Sequence, residues 1–333
     1  MRNLYFSNVP ASYRADLCNC LYRELDCEIC FEEPGTAKME IPLHRWGMKD
    51  VWPLIEEYRP SLVFVPEFSP LALRALSLRE RYGFKVISFC DDSMDMISGH
   101  DFGWKHRLAR HFVPKRVDEI ILHSPAVRDW YHDRFGKGWL MPIIADDRRI
   151  RPELERVRPL SERLRPGTKP LVGFVGRLVG LKNVPTLIRA FESLKERAQL
   201  VIIGDGPERA SLETMAPDAV FTGFQEGDNL LAWYNLIDIL VLPSTQEAYG
   251  AVTGEALMAG AKVVVSRKAG SSSLIREGEN GYIVDPLDVA AFENRISRLL
   301  DEIPSGRPLA LRDCLLPYRF EDCFTALKES LTR

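Results

Sequence analysis

Two carboxylates, Glu247 and Glu255, stand eight positions apart in the run Pro243-Ser244-Thr245-Gln246-Glu247-Ala248-Tyr249-Gly250-Ala251-Val252-Thr253-Gly254-Glu255-Ala256-Leu257-Met258-Ala259. The apolar stretch before it, 237–242, reads as a buried parallel strand, and the small and apolar residues after Gly250 read as a helix packed on that strand. Glu247 then sits at the strand's C-terminal edge, with Glu255 about two turns into the helix. Between them Tyr249, Gly250 and Ala251 form a loop whose glycine lets the backbone approach a ligand and whose amides, at a helix start, favour a phosphate. An anion, a polyhydroxyl group or a ribose could be held there. The alternative is an ordinary strand-to-helix loop with two solvated glutamates.

Other groups that could do chemistry collect at strand ends. A strand ending at Gly176 is followed by Arg177 and, five residues on, by Lys182. Val201-Ile202-Ile203-Gly204-Asp205-Gly206-Pro207-Glu208 is a second strand ending in a glycine turn before a helix, and Val220-Phe221-Thr222-Gly223-Phe224 is a third strand end. In the first half of the chain, Asp91 and Asp92 follow a short apolar run, where a carboxylate could bond a sugar or acceptor hydroxyl. Arg14 lies near a helix start after the first strand, in Ser7-Asn8-Val9-Pro10-Ala11-Ser12-Tyr13-Arg14, which has no glycine for close approach to a phosphate.

The elements that must position these groups alternate along the chain. Strands are expected at 3–6, 26–31, 62–65, 85–89, 119–123 and 139–143, with helices such as 12–25, 69–82 and 125–135 between them. A polar, arginine- and proline-rich segment then breaks the pattern. After it strands recur at 171–175, 199–203, 220–221, 239–242, 262–265 and 281–284, with helices at 184–195, 208–215, 229–236, 253–259 and 289–300. The expected organisation is a Rossmann-like domain over 1–150, a linker at 151–170, and a second Rossmann-like domain over 171–310. A C-terminal helix at 318–333 is expected to cross back and complete the first domain.

The 333 residues suffice for two such domains, and 46% hydrophobic with 27% charged residues is a soluble composition. A net charge of -3 argues against nucleic acid as a partner. No signal peptide is read at the N-terminus and no apolar run has the roughly 18–20 residues of a membrane span, so the cytoplasm is the expected location. Cys18, Cys20, Cys27 and Cys30 miss the usual zinc spacing and are read as small buried hydrophobes; no metal site is expected. The basic run 104–116, with aromatics at both ends, fits either an anionic inner-membrane surface or a half-buried helix with a solvated cationic face.

Taken in order, the Gly176-Arg177-Leu178 to Lys182 segment, the Gly204-Asp205-Gly206-Pro207 turn and the E-x7-E pair resemble the C-terminal domain of the retaining GT-B glycosyltransferases of family 4. The resemblance covers 171–300 well; the N-terminal half is similar in layout only. It implies an α/β fold of GT-B type, two doubly wound Rossmann-like domains facing a central cleft. It also implies retaining hexosyl transfer, without metal or cofactor, from a nucleotide-diphosphate sugar to a glycan, lipid-linked or small-molecule acceptor in polysaccharide or glycoconjugate biosynthesis. By the same match Arg177 and Lys182 hold the diphosphate as its charge develops, next to Gly176. Glu247 bonds donor-sugar hydroxyls, Tyr249, Gly250 and Ala251 offer amides, and Glu255 holds the ribose. The base lies near Gly204, Gly206 and Phe224.

Departures from the family pattern fall mostly in the first half. Asp91 and Asp92 stand where relatives often carry a histidine, Asp92 being the catalytic candidate and Asp91 and Arg14 substrate-binding ones. Ser273 replaces a family glutamate, leaving backbone amides of that turn to meet the phosphates. Other GT-B enzymes, a sugar-phosphate synthase or a nucleotide-sugar epimerase, and a non-catalytic nucleotide-sugar binder are the rival readings.

Overall fold

The computed structural model describes residues 2–33, 39–98, 104–304 and 309–332, the side chains of 104–106 excepted. It forms two compact units, residues 1–143 with 321–333 and residues 144–320.

The first unit is built on strands β1 (Asn3–Ser7), β2 (Cys27–Phe31), β3 (His44–Arg45), β4 (Leu62–Pro66), β5 (Lys85–Phe89), β6 (Glu119–Leu122) and β7 (Trp139–Leu140). They lie in the order β3-β2-β1-β4-β5-β6-β7, with all neighbours parallel. The helices between them are α1 (Ala15–Glu24), α2 (Val51–Tyr58), α3 (Pro70–Tyr82), α4 (Met94–Ser98), α5 (Trp104–Arg116) and α6 (Pro125–Phe135). Because both faces of a parallel sheet are covered, its central strands are apolar throughout: Val63, Phe64 and Val65 of β4 are all fully buried. Cys18, Cys27 and Cys30 are buried, and burial pushes the Cys18 and Cys30 thiols up to about 12; no metal-binding cluster occurs among the described residues. On α5, Leu108 and Phe112 are exposed one turn apart beside exposed Arg107, Lys115 and Arg116; the side chains of residues 104–106 of that basic run lie outside the described residues.

The second unit repeats the plan. Helices α7 (Asp147–Arg156) and α8 (Arg158–Leu164) lead into β8 (Leu171–Val175), α9 (Val184–Phe191), β9 (Gln199–Ile203), α10 (Arg209–Met215), β10 (Val220–Gly223) and α11 (Gly227–Leu236). The chain continues through β11 (Ile239–Leu242), α12 (Val252–Met258), β12 (Lys262–Ser266), β13 (Gly281–Val284) and α13 (Val289–Asp301). The sheet order is β10-β9-β8-β11-β12-β13, again parallel. The last helix, α14 (Phe320–Thr332), lies from residue 321 onward in the first unit, where Lys328 pairs with Glu24 of α1 at 3.0 Å. Among the described residues no helix is long and apolar enough to cross a membrane.

The segment read as a linker, 151–170, is largely helical instead. Leu154 and Val157 are buried, and Asn235 of α11 donates to the Leu154 carbonyl at 2.7 Å and to Ser161 Oγ at 3.4 Å, so α7 and α8 are packed onto the second unit. The arginines that suggested solvent there are the exposed face: Arg156 grips Asp228 of α11. Pro308, in the segment before the last helix, lies outside the described residues.

In each sheet the order reverses once, between β1 and β4 and between β8 and β11. Loops leaving two such strands turn to opposite faces and open a crevice beyond the carboxyl ends, where ligands of open α/β sheets bind.

Candidate functional site

At the β8/β11 switch of the second unit, the loop after β8 carries Gly176, Arg177 and Lys182 and the loop after β11 carries Glu247. The loops after β8 and β9 are laced together: the Gly176 amide donates to the Ile203 carbonyl and the Leu178 amide to the Asp205 carbonyl, both at 2.9 Å. This closeness dictates glycine. A Cβ on Gly204 would lie 1.9 Å from the Gly176 carbonyl oxygen, and the backbone there has φ 138°. Arg177 projects from this frame exposed, with no side-chain partner among the described residues.

Lys182 ends a short 3-10 turn, and its ammonium forms an ion pair with the Glu247 carboxylate, which Ser244 Oγ also approaches at 3.4 Å. Asn183 fixes this corner, donating to the carbonyls of Pro243 at 3.1 Å and Pro286 at 2.8 Å. The sequence-predicted cation and carboxylate are therefore in direct contact.

Tyr249, Gly250 and Ala251 run from Glu247 into α12. Gly250 has φ 89°, and a Cβ there would lie 2.6 Å from Leu242 Cδ2. Glu255, in the first turn of α12, accepts a hydrogen bond from the buried Tyr234 hydroxyl of α11. Burial raises the Glu255 carboxyl pKa and the Tyr234 bond opposes that rise; the Tyr234 phenol is itself held well above its ordinary value by burial and the adjacent carboxylate. Gly204 and Gly206 close the next strand end, and Phe224 stands 71% exposed just past β10. The serine turn at 270–274 is less open than expected. The Ser271 amide donates to the Tyr249 carbonyl at 2.8 Å and the Ser272 amide to the Ala269 carbonyl at 3.0 Å, so neither is free for a phosphate.

The first unit gathers a second polar cluster. Arg14 is buried at the end of a 3-10 turn after β1, where its guanidinium meets Tyr5 Oη at 3.3 Å, the Asp91 carboxylate and His123 Nε2 at 3.5 Å. His123 Nε2 lies 2.8 Å from Asp91, and its Nδ1 lies 2.8 Å from the Met141 carbonyl. Burial alone would raise the Asp91 pKa, but the Arg14 charge and the His123 bond outweigh it and hold the carboxyl well below its usual range. Arg14 is thus a buried, paired cation rather than a solvated one at a helix start.

Asp92 departs from its expected catalytic place. Its side chain is fully buried, clasped by both guanidinium nitrogens of Arg110 and by the Tyr131 hydroxyl at 2.6 Å. Neighbouring residues on a strand exit point to opposite sides; here Asp91 turns towards a crevice and Asp92 into the packing beneath α5 and α6. It is a structural ion pair, unavailable to a hydroxyl.

Residues 169–302 match the family model described as glycosyl transferases group 1. The matched stretch lies within the second unit, residues 144–320. The chain is similar to a GDP-mannose-dependent alpha-mannosyltransferase of Corynebacterium glutamicum, 36% identical over 172 residues, and the match spans 52% of this chain and 39% of that relative. It is also similar to a GDP-mannose-dependent alpha-(1-6)-phosphatidylinositol monomannoside mannosyltransferase of Mycobacterium tuberculosis, 28% identical over 74% of this chain and 68% of the relative. The crystal structure of Anabaena Alr3699/HepE in complex with UDP superposes with a TM-score of 0.77 over 100% of both chains at 15% identity. The fold is GT-B.

Within the second unit the motif residues named from the sequence share one sheet edge. Three residues with evident roles in the geometry escaped the sequence reading: Tyr234 behind Glu255, His123 beside Asp91, and Glu67 after β4. His123 carried a signal, as the last residue of the strand expected at 119–123. Tyr234 and Glu67 lie in stretches that read as an amphipathic helix and a plain loop.

Proposed function

We propose that this chain is a retaining glycosyltransferase that moves a sugar from a nucleoside diphosphate to a hydroxyl of a glycan, lipid-linked or small-molecule acceptor. GDP-mannose is the first donor to try, since two relatives to which the chain is similar are named for it. The observation that carries the proposal is the switch-point edge of the second unit, where Arg177 stands exposed beside a Lys182–Glu247 ion pair, with Glu255 on the following helix.

On this reading the diphosphate lies against Arg177 and Lys182. When the anomeric carbon–oxygen bond breaks, its electron pair passes to the departing phosphate, and two fixed cations stabilise that charge without the reorganisation water would need. Arginine suits two phosphate oxygens at once, lysine a single point contact. Glu247, held by Lys182, accepts hydrogen bonds from donor-sugar hydroxyls, while Glu255 accepts those of the ribose. The base lies by Gly204, Gly206 and Phe224, and the amides of Gly250 and Ala251 face the sugar or the diphosphate. The acceptor oxygen attacks from the face the phosphate leaves, and its proton passes to a phosphate oxygen, so configuration is retained with no carboxylate nucleophile. The two cations supply the charge that other transferases take from a metal.

A thermal-shift panel of GDP, UDP, ADP and their sugars tests donor binding, because a ligand present at about 100 times its Kd stabilises the native state by about 2.7 kcal/mol. GDP and GDP-mannose are expected to raise the melting temperature. Glu247→Ala is expected to abolish sugar release from the stabilising donor while keeping the native melt. Wild-type turnover in that variant, or no shift with any nucleotide, refutes the assignment.

A further inference from the structure

The first unit has its own switch-point cavity, of about 540 Å³, beyond the ends of β1 and β4. That volume is in the range of small-molecule sites, and it lies where an open parallel sheet binds ligands. Its charged lining consists of Arg14, Glu32, Glu67 and Asp91, so three carboxylates face one guanidinium already committed to Asp91. Tyr13 and Trp46 add aromatic walls.

Glu67 is the exceptional member. It adopts φ 46°, a left-handed conformation that costs a non-glycine residue and persists only when its surroundings impose it. Here β5 imposes it: the Glu67 amide donates to the Phe89 carbonyl at 2.7 Å, and its carbonyl accepts from Ser88 Oγ at 2.9 Å. The backbone is pinned on both sides while the carboxyl lines the cavity, with no hydrogen bond or ion pair among the described residues. Burial, then the charges of Asp92 and Asp91, raises its pKa, the mark of a carboxylate short of donors.

We propose that this cavity holds an uncharged polyhydroxyl ring whose hydroxyls donate to Glu67, and that it excludes phosphorylated sugars. Calling that ring the acceptor rests on the transferase reading above; the binding itself does not. A carboxylate without a donor is completed by a hydroxyl, and the aromatic walls fit the apolar face of a sugar ring. A phosphate in the same space would meet Glu32, Glu67 and Asp91 at short range with a single, already paired cation to offset them.

The test is ligand-observed saturation-transfer NMR on the full chain. The neutral probes are methyl α-mannoside, methyl α-glucoside, methyl β-galactoside and myo-inositol; the anionic ones are mannose 6-phosphate, glucose 6-phosphate and inositol 1-phosphate. At least one neutral probe is expected to bind, with affinity falling about tenfold or more in Glu67→Ala, as expected for loss of a charged hydrogen bond. The phosphates are expected to bind Glu67→Lys better than wild type. Melting curves of both variants confirm that they fold; should Glu67→Ala not, Glu67→Gln, which fits the same backbone, takes its place. Binding of no neutral probe, tighter wild-type binding of a phosphate than of its neutral counterpart, or unchanged neutral binding in a folded Glu67 variant overturns the inference. Nucleotide thermal shifts on the same samples separate the two proposals: shifts with GDP but no sugar binding defeat this one alone, and sugar binding without nucleotide shifts defeats only the transferase reading.

Discussion

Removing one hydroxyl, in Tyr234→Phe, isolates what holds Glu255. The Tyr234 side chain is 2% exposed, so phenylalanine fills the same space and the change is confined to the bond it donates to the Glu255 carboxyl. A hydrogen bond to a charged group is worth about 1.5–3 kcal/mol, and one between neutral groups about 0.5–1.5 kcal/mol. The cost of the substitution must therefore depend on whether Glu255 is ionised.

The sign follows from linkage. Burial places the folded-state pKa of Glu255 above its ordinary 4.5, so between 4.5 and that raised value the native state holds more protons than the unfolded chain, and stability falls as pH rises through the window. Tyr234→Phe removes the one contribution that lowers this pKa, so the fall in the variant is larger. Below pH 4.5 the carboxyl is protonated in both forms and the variant should cost about 1 kcal/mol; well above the window it should cost about 2 kcal/mol or more. For a unit of this size the extra ~1 kcal/mol corresponds to about 2–4 °C. Melting curves of wild type and variant at pH 4.0 and pH 8.0 measure it, and Glu255→Gln should erase the pH dependence. A gap no larger at pH 8.0 than at pH 4.0 would show that the hydroxyl does not support an ionised Glu255. On the ribose assignment the variant also loses affinity for GDP but not for its 2′,3′-dideoxy analogue.

Two further substitutions test the frame. Asp92→Asn leaves Arg110 buried beside a neutral partner, a loss of about 3 kcal/mol or more, while sugar transfer per folded molecule at low temperature should be unchanged; a normal melt with lost transfer would return Asp92 to the chemistry. Gly204→Ala puts a methyl 1.9 Å from the Gly176 carbonyl oxygen and strains φ, and should cost about 2 kcal/mol or more. An unaltered melt would mean that the loops after β8 and β9 are not locked together.

The fold was legible because buried parallel strands are uninterrupted apolar runs punctuated by glycine, a local signal that needs no partner to read. Arg177, Lys182 and Glu247 were legible for a related reason: each lies in the loop just beyond such a run, so its place at the sheet edge is given by the strand before it, while Glu255 is placed by the helix that follows. What stayed hidden was set by partners distant in sequence. Leu154, Val157 and Ser161 look like scattered apolar and small residues among arginines until α11 covers them, hence a packed helix pair read as a linker. Asp91 and Asp92 are adjacent and chemically alike; only Arg110, eighteen residues on, and Tyr131, thirty-nine on, make one of them structural.

The two halves differ in the charge that their crevices leave unpaired. Both sheets reverse order once, and both place charged side chains beyond that reversal, but the balance differs. The second unit offers an exposed Arg177 and a lysine–glutamate pair, a setting that an incoming diphosphate would complete. The first unit spends its buried guanidinium on Asp91 and leaves Glu67 without a donor, a setting that an anion would worsen and a hydroxyl would complete. If each crevice takes what its unpaired charge lacks, the negatively charged half of a transfer reaction belongs to the second unit and the hydroxyl-bearing half to the first, and exchanging the sign at position 67 should alter the choice of sugar while leaving nucleotide binding as it was.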